Sequence, residues 1–432
     1  MKAAFYEREI TPPLGESMPG YYAVRIADDV ADKLYAKVFA AENDGVKIAL
    51  LVLDCVELPT KYADAIVARV RQYNEDIPAD NIAVCATHSH TGIPCGEPLV
   101  GMDDEIFMNV LVRQAADCVT LALRRLQEVT LTFGCGEVNG ISFNRNFRLA
   151  DGRVITHLGG ADRDGAVPYS DIDPLLPILT VRDENRQPVG AVISYACHQD
   201  CVGGKAYSGD YSSELSKKLK ERYGQDFVSV YIPGASGDIN HVNYMNVDTG
   251  IAEEEGVPHY RTMGRVIAAE AVRVIDADSH PVEGNRIFAE KKMLDIPVRR
   301  ATAEQIEQAK AKVAVSGEKA WNARLLLHYE EVQTEVTHPT PVQVFGIGNT
   351  AIAALPGEPY HRFAAKIREG CPAVNCLFSA LSNGMHGYVP VPELMETDIY
   401  EAKLCEGSFL DPSAGDAIAE AVIRMLDGRR LQ

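Results

Sequence analysis

The sequence lacks the features that mark secreted, membrane-spanning and disulfide-rich proteins. The first residues, MKAAFYEREITPP, contain no apolar stretch of the signal-peptide type. No uncharged apolar run approaches the roughly 20 residues that a bilayer-spanning helix needs. Ten cysteines are present, but the pairs Cys197 with Cys201 and Cys371 with Cys376 have no second pair at zinc-ribbon spacing. We therefore expect a cytoplasmic protein without stable membrane association, whose cysteines are reduced and partly buried.

Basic residues are scarce relative to acidic ones. The 432 residues include 42 Lys and Arg against 61 Asp and Glu, which gives a net charge of -19. Nucleic acids and anionic membrane surfaces would be repelled, so neither is expected as a partner. The hydrophobic share of 46% is that of an ordinary globular protein and excludes general disorder. We predict a single domain over residues 1–432, with possible sub-units near 1–130, 131–280 and 281–432, and the sequence leaves the oligomeric state open.

One order of local elements recurs three times along the chain. Each unit reads as a β-hairpin, then a helix with apolar residues at helical spacing, then a short apolar strand. The units cover residues 37–54, 62–73 and 82–86, then 177–197, 212–222 and 227–232, then 342–355, 359–368 and 374–380. Polar residues of metal-binding types follow the strands, where open sheets collect their functional loops. The predicted fold class is α/β (mixed α+β), with mixed sheets built from these hairpin–helix–strand units and a metal site at the strand ends.

The segments between the units have two characters. Residues 104–126 and 259–275 are predicted packing helices, and residues 301–329 are predicted to form one or two helices that cover a sheet face. Residues 140–173 are polar, rich in Gly, Asp and Arg, and show no periodicity. Because loops of that length in a compact domain often bind substrate or act as lids, we predict such a role for this segment.

Two histidines follow the first unit in the block Thr-His-Ser-His-Thr-Gly at residues 87–92. Residues two apart on a strand point to the same side, so His88 and His90 are expected to face one cavity. A neutral imidazole is a good zinc ligand, and its second nitrogen then needs an acceptor. Two hydrogen-bonded surface histidines are an equally good interpretation of this block taken alone.

The other polar positions are ambiguous one by one. His198 ends the second hairpin and could be a structural histidine, and Asp210 is suited to cap the following helix. Asp238 follows a strand and a Gly-rich turn, where it could orient a ligand histidine or bind metal. His241 could line the pocket or lie exposed. Glu358 stands at a predicted helix start, where a carboxylate is favourable in any case.

Taken in order, these blocks resemble the N-terminal catalytic domain of the neutral/alkaline (non-lysosomal) ceramidase family almost from end to end. The blocks that carry the resemblance are Ile10-Thr11-Pro12-Pro13, Leu34-Tyr35-Ala36-Lys37, Val52-Leu53-Asp54, the histidine block at 87–92, Asn144-Arg145-Asn146, the strand ending at His198, Ser208-Gly209-Asp210, Gly237-Asp238-Ile239-Asn240, Pro356-Gly357-Glu358, Gly387-Tyr388, Tyr400-Glu401 and Glu406-Gly407. The family reads Thr-His-Thr-His-Ser-Gly at the histidine block, and the blocks occur here in the family's order.

The resemblance implies a zinc ion and a set of residues around it. The zinc ligands that it implies are His88, His198, Glu358 and Tyr388. His90 would lie beside a metal-activated water as general acid/base or transition-state stabiliser. Arg145 and Tyr400 would contact the scissile carbonyl or its oxyanion. Asp238 would support the site from behind the ligands.

The chain departs from the family pattern at several points. Asn240 stands where the family has a serine proposed as a nucleophile, which disfavours a serine mechanism here. The family's C-terminal β-sandwich domain has no counterpart, so we expect a soluble small-molecule substrate rather than membrane ceramide. Pro94, Cys95 and Glu97 replace a glycine-rich run, so residues 92–99 and 140–173 are expected to form a different pocket entrance.

These observations predict a zinc-dependent hydrolase that cleaves a C–N amide bond with a metal-activated water. A zinc-dependent esterase or lactonase is the alternative within the same class. A phosphoesterase is a further alternative, against which stands the lack of a second carboxylate-rich metal set. A non-catalytic metal- or ligand-binding homologue is the last, and Asn240 favours it.

Overall fold

The structure is a computed structural model that describes residues 1–21, 24–95, 104–159, 162–246, 258–317 and 320–427. Every helix predicted from periodicity is present, with its ends moved by at most a few residues. The helices are α1 (Thr60–Tyr73), α2 (Glu105–Arg124), α3 (Asp210–Tyr223), α4 (His259–Ala277), α5 (Ala303–Ser316), α6 (Trp321–Val332), α7 (His361–Gly370) and α8 (Ala414–Asp427).

The strands fall into long ones that build sheets and short ones that brace loops. They are β1 (Lys2–Glu9), β2 (Ser17–Met18), β3 (Arg25–Ile26), β4 (Asp29–Val30), β5 (Tyr35–Asn43), β6 (Val46–Leu53), β7 (Ile82–Ala86), β8 (Gln127–Glu128), β9 (Thr130–Glu137), β10 (Phe143–Asn144), β11 (Asn146–Arg148), β12 (Val154–Thr156), β13 (Val167–Pro168), β14 (Leu175–Arg182), β15 (Pro188–Tyr195), β16 (Ala206–Tyr207), β17 (Val228–Pro233), β18 (Ile239–Asn240), β19 (His280–Pro281), β20 (Ile287–Pro297), β21 (Thr337–Ile347), β22 (Thr350–Ala354), β23 (Glu358–Pro359), β24 (Asn375–Ser379) and β25 (Tyr388–Val389).

The three predicted hairpin–helix–strand units are confirmed. They are β5-β6-α1-β7, β14-β15-α3-β17 and β21-β22-α7-β24, and in each the closing strand runs parallel to the second hairpin strand. The first hairpin turns at Asp44 and Gly45, whose φ values of +50° and +80° fit the two-residue turn that such a sequence favours. The mixed α/β fold class is therefore confirmed.

Each unit forms one of three larger sheets, and the sheets pack their inner faces around a shared core. The sheet orders are β7-β6-β5-β1-β8, β17-β15-β14-β9-β19 and β20-β21-β22-β24. Phe39, Val230 and Phe345, one from each sheet, lie in the same buried apolar cluster. Gly190 of β15 lies flat against the ring of Phe5 in β1, where a Cβ would approach a ring carbon to 2.4 Å. The prediction of a single domain stays a prediction, and this shared core is what it would rest on.

Helices cover the outer faces of the sheets. α1 and α2 cover the first sheet, α3 and α4 the second, and α7 and α8 the third. Within the described ranges, α2 is the one helix long and apolar enough to cross a membrane by length and composition, and 56% of its apolar window is buried inside the molecule. It packs against β1 and β5 in the first core, as a core helix does.

Two predictions about the connecting segments need correction. Residues 301–329 form two helices, α5 and α6, but α7 and α8 occupy the sheet face, and the pair packs mainly on its own small cluster around Ala309 and Ala323. Residues 140–173 are not a structureless loop in their described part. They form β10 to β13, because polar side chains such as Asn144 and Asn146 satisfy buried backbone and side-chain groups.

Smaller features also differ from expectation. Asp210 is the first residue of α3 rather than its cap, a position that Gly209 takes, and its carboxylate accepts hydrogen bonds from the N–H groups of Val202 and Tyr211. All ten cysteines are free, and seven of them are buried, as the sequence suggested.

Candidate metal centre

Hydrogen bonds tie together the ends of the strands that close the units. Ala380, just after β24, donates its backbone N–H to Pro233 of β17 at 2.8 Å, and Ala86 of β7 donates to Leu381 at 3.2 Å. Leu381 donates in turn to the carbonyl of Gly357 at 2.8 Å. The loops after β7, β15, β22 and β24 therefore meet at one edge of the shared core. These loops carry the four predicted ligands His88, His198, Glu358 and Tyr388.

The histidine block leaves its strand sharply. β7 ends at Ala86, and His88 has a φ of +71°, in the left-handed region. His90 donates its backbone N–H to the carbonyl of Gln199 at 3.0 Å, which anchors the block on the second unit. Strand alternation was expected to turn both histidines to one side, but this reason was wrong, because both residues lie beyond the end of β7. The two rings nevertheless meet, with centroids 4.8 Å apart.

Glycines bring Glu358 and Tyr388 together. The two residues are direct partners in the parallel ladder of β23 and β25, and Glu358 donates its N–H to the carbonyl of Gly387 at 2.9 Å. Gly357 and Gly387 have φ values of +60° and +68°, and a Cβ on Gly357 would lie 2.1 Å from the Gly387 oxygen. Only glycine allows this close approach, which explains why a glycine precedes both Glu358 and Tyr388.

Nitrogen and oxygen donors face one another at the centre of these loops. The Nε2 atoms of His198 and His88 lie 3.0 and 3.3 Å from Oε2 of Glu358. The Nε2 of His90 is 3.4 Å from that of His88, and the Tyr388 hydroxyl is 3.4 Å from Nε2 of His198. Ligands around tetrahedral zinc, with bonds of about 2.0–2.1 Å, are roughly 3.3–3.4 Å apart. The structure therefore brings His88, His198 and Glu358 to a spacing near that of zinc ligands, with the Tyr388 hydroxyl beside His198.

Backbone carbonyls select one tautomer for each histidine ring. The Nδ1 atoms of His88, His90 and His198 lie 2.8, 2.6 and 2.9 Å from carbonyl oxygens. These carbonyls belong to Val56, Gly20 and Ser236. Because a carbonyl only accepts, each Nδ1 carries the proton and each Nε2 presents a lone pair to the centre.

A cation accounts for this arrangement better than the protein groups alone. Oε2 of Glu358 is buried and, within the described ranges, receives no well-directed hydrogen bond, although two imidazole nitrogens lie close to it. Burial alone would raise the pKa of the Glu358 carboxyl, but His88 and His198 hold it well below its usual range, so the group is a carboxylate. Positive charge must therefore lie beside this carboxylate, either as a proton on His88, whose pKa the carboxylate raises against the effect of burial, or as a cation bound between the Nε2 atoms. The residues fit a zinc ion, while the identity of the ion stays a prediction.

Arg145 lies beside the donors and is held on two sides. Its Nε donates to Oε1 of Glu401 at 2.6 Å and its Nη2 to the carbonyl of Gly237 at 2.7 Å. Its Nη1 is 3.2 Å from Nε2 of His198, and its guanidinium carbon is 5.3 Å from the ring centre of Tyr388. Despite burial, Glu401 and Tyr388 keep the pKa of Arg145 well above its ordinary value. A permanent positive charge with one donor nitrogen therefore faces the centre.

His90 borders the donors with different chemistry. Burial, followed by the neighbouring His88, lowers the pKa of the His90 imidazole to about 3. The ring is therefore neutral at pH 7, and its Nε2 can accept a proton.

Asp238 does not join the group of donors. Its Oδ2 accepts from Nδ1 of His361 at 2.7 Å and from the amide of Asn144 at 3.0 Å. Its backbone carbonyl accepts from the N–H of Arg145 at 2.9 Å. The carboxylate therefore braces the segment that carries Arg145 from behind the donors, the supporting position expected of it, and a part for Asp238 in catalysis stays a prediction. Asn240, at the family's serine position, is buried and caps the N–H of Val242 at 3.1 Å.

A small cavity of about 100 Å³ opens beside the donors. The predicted site residues on its wall are His88, His90, Glu358, Tyr388 and Tyr400. The Tyr400 ring packs edge-on against that of Tyr388, with centroids 5.6 Å apart. Trp321 and Leu325 of α6 form an apolar part of the wall, which the sequence did not predict. Of the expected entrance at residues 92–99, positions 96–99, including Glu97, lie outside the described residues.

Sequence reasoning missed several residues that build the site. Glu401 is fully buried and holds Arg145, and its place next to Tyr400 in a family block was the available signal. Gly20 supplies the carbonyl that orients His90, and His361 partners Asp238. Neither had a signal in the sequence, because both reach the site only through contacts between distant segments.

Comparison with known proteins agrees with the geometry at the level of the fold. No protein-family model matches the sequence, and no curated protein matches it. The fold is that of neutral ceramidase, as the ordered motifs predicted. A crystal structure of neutral ceramidase from Pseudomonas aeruginosa has 18% sequence identity and a TM-score of 0.76, with 98% of this chain and 73% of that chain covered. A structure described as ceramidase complexed with C2 gives 18% identity and a TM-score of 0.76, covering 98% of this chain and 74% of that chain.

Proposed function

We propose that this protein is a zinc-dependent hydrolase that cleaves a C–N amide bond in a small soluble molecule, in the manner of a ceramidase-like amidohydrolase. The observation that carries the proposal is the facing set of His88, His198 and Glu358, in which a buried carboxylate oxygen receives no well-directed hydrogen bond from the described residues. The shared fold supports it, because the neighbour is a ceramidase and ceramide is an N-acyl amide.

Each residue around the donors has a separate role in amide hydrolysis. Zinc, when bound by His88, His198, Glu358 and Tyr388, would act as a Lewis acid and lower the pKa of water to near 7. His90, neutral at pH 7, accepts a hydrogen bond from the attacking water on its Nε2 and relays the water's proton to the leaving nitrogen in the transition state. Arg145 holds its Nη1 donor toward the oxygen of the scissile carbonyl as that oxygen gains negative charge. Glu401 and Gly237 fix the guanidinium so that this donor is already oriented.

The substrate class follows from the size and lining of the cavity. Tyr388, Tyr400 and the apolar side chains of Trp321 and Leu325 surround the donors, so a short acyl or planar group fits against them. A volume of about 100 Å³ holds a small polar molecule more readily than two long alkyl chains. This supports a soluble amide, and the cytoplasmic location and absence of membrane or nucleic-acid partners stay predictions.

The first experiment measures zinc by elemental analysis in the wild type, His198→Ala and His280→Ala. His198 is a proposed ligand, whereas His280 is exposed on β19 and serves as the matched control. We expect the His198 variant to lose one equivalent of zinc that the His280 variant keeps. A wild-type protein that binds no zinc when zinc is offered would contradict the proposal.

The second experiment tests the chemistry. We expect acyl amides to be cleaved by the wild type and not by His90→Ala, with the zinc content of that variant unchanged. Turnover confined to esters and lactones would favour the esterase or lactonase. Release of phosphate rather than acid would favour a phosphoesterase. A wild type that binds zinc but cleaves none of these substrates would favour a non-catalytic homologue.

A further inference from the structure

A second group of metal-type side chains lies near the first. Cys201, His241 and His259 each offer a donor atom, and these atoms lie within 4.8 Å of one another. Cys201 follows β15 and is three residues beyond His198, His241 follows β18, and His259 begins α4. None of the three belongs to the proposed catalytic centre. Three elements from distant parts of the sequence thus converge on one point.

The immediate contacts of this group suit a cation. The rings of His241 and His259 have centroids 5.1 Å apart. Oδ1 of Asp200 is 3.4 Å from Nε2 of His241, yet this buried oxygen receives no well-directed hydrogen bond from any residue that the structure describes. The Cys201 sulfur has the thioether of Met263 as a neighbour at 3.3 Å, which is a weak acceptor. A buried acceptor aimed at the group is therefore left for a ligand to satisfy.

The local charge points the same way. Asp200 and the fully buried Asp210 lie beside Cys201 and add negative charge to the pocket. In the described part of the chain, His241 is the one ion-pair partner of Asp200. The Asp210 carboxylate accepts from the backbone N–H groups of Val202 and Tyr211 and lies within hydrogen-bonding reach of the Cys201 thiol. Acidic groups this buried are stabilised by a cation that binds among them.

We propose that Cys201, His241 and His259 bind a second zinc ion, with Asp200 as the fourth donor. Sulfur and imidazole ligands select zinc and similar divalent ions over magnesium and calcium. Ligand atoms around tetrahedral zinc lie roughly 3.3–3.8 Å apart, so movements of about 1 Å close the set. Cys201 binds as the thiolate, and its proton passes to solvent when the ion enters.

This site differs in character from the partner of a two-metal phosphoesterase. Its donors are sulfur and nitrogen with a single carboxylate, whereas such enzymes use carboxylate-rich pairs. The segment from His198 to Cys201 joins the two sites, so the second ion would hold in place the backbone that carries a ligand of the first. We therefore assign it a structural role that does not rest on the proposed function.

Cobalt substitution tests the second site directly. The purified full-length protein is stripped with chelator, loaded with excess Co²⁺ and examined by absorption spectroscopy and elemental analysis. Only a cobalt ion bound to a thiolate gives a strong sulfur-to-metal band in the near ultraviolet, and the proposed catalytic ligands contain no sulfur. We expect this band and two equivalents of cobalt in the wild type.

Four variants separate the two sites. Cys201→Ser and His259→Ala should each lose the band and one equivalent, whereas Cys135→Ser, at an exposed cysteine, should keep both. His198→Ala should keep the band while losing the other equivalent. His259 is partly exposed at a helix start, so its variant remains informative if the Cys201 variant does not fold. A wild type without the band, or a band that survives in Cys201→Ser, would overturn the proposal.

Discussion

Replacing Glu401 by Gln should destabilise the protein far more than its small chemical change suggests. The side chain of Glu401 is fully buried and that of Arg145 is 4% exposed, and their charged groups meet at 2.6 Å. Glutamine keeps the volume and can still accept a hydrogen bond. It removes the counter-charge of a buried guanidinium, whose other partners include the neutral carbonyl of Gly237.

The expected cost is about 3–5 kcal/mol, the range for breaking a buried ion pair by removing one partner. This is a large part of a typical total stability of about 5–15 kcal/mol. Removing both charges should cost less than the sum of the single changes, because no buried charge is then left without its partner. Arg145→Met with Glu401→Gln therefore completes a double-mutant cycle with strong coupling.

The measurement is urea unfolding followed by circular dichroism, with chelator present in one series and saturating zinc in the other. The matched control is Glu221→Gln, whose partner Lys218 lies at 2.7 Å but whose side chain is 48% exposed. That exposed pair should contribute at most about 1 kcal/mol. If Glu401→Gln costs no more than the control, or if the two single changes simply add, the account of Arg145 as a charge held by Glu401 is wrong.

Three further predictions test the site, the pH response and the core. Gly20→Ala places a Cβ 2.9 Å from the His90 ring at a φ of +105°, so turnover should fall at least about 10-fold with zinc content unchanged. The control Gly15→Ala, at a φ of +97° with open space around it, should retain activity. Equal losses of turnover in both variants would contradict the effect of the His90 contact. Burial lowers the pKa of His386 to about 3, whereas its pKa in the unfolded chain is about 6.5. The stability that the neutral His386 contributes is therefore fully present above pH 6.5 and is lost as the pH falls toward 3. The free energy of unfolding, measured with urea, should therefore be lower at pH 4.5 than at pH 7.5. In His386→Asn this difference should be smaller by about 2–3 kcal/mol, and an equal difference in both proteins would refute this cause. Phe39→Ala in the shared core should cost about 3–5 kcal/mol in a single unfolding transition, and separate transitions for the three units would contradict a common core.

Local sequence patterns were sufficient for the elements of the fold. The turn at residues 43–45, the alternation and apolar runs of the strands, and the spacing within the helices act over a few residues, so they survive in any context. The three units were readable for that reason. What the patterns misplaced was α5 and α6, whose amphipathic spacing shows that they pack against something but not against what.

The residues of the metal centre were identified from ordered motifs, while their arrangement was not. His88 and His90 meet because one has a left-handed backbone and the other is anchored on Gln199, and no local pattern encodes that bond. Asp238 was expected to support the site from behind the ligands, but only the structure shows that it does so by bracing the segment that carries Arg145. A motif preserves which residues are present, but a contact between distant segments decides which way each one faces.

The sequence by itself therefore determined the hairpin–helix–strand units, the acidic surface and the glycines that precede Glu358 and Tyr388. The tertiary structure alone decided that Glu401 holds Arg145, 256 positions away in the chain, and that Cys201, His241 and His259 meet. The physical reason is that turns and amphipathic spacing are local properties of the chain. Charge pairing and metal-donor geometry instead depend on which loops the three packed sheets bring to the same edge of the core.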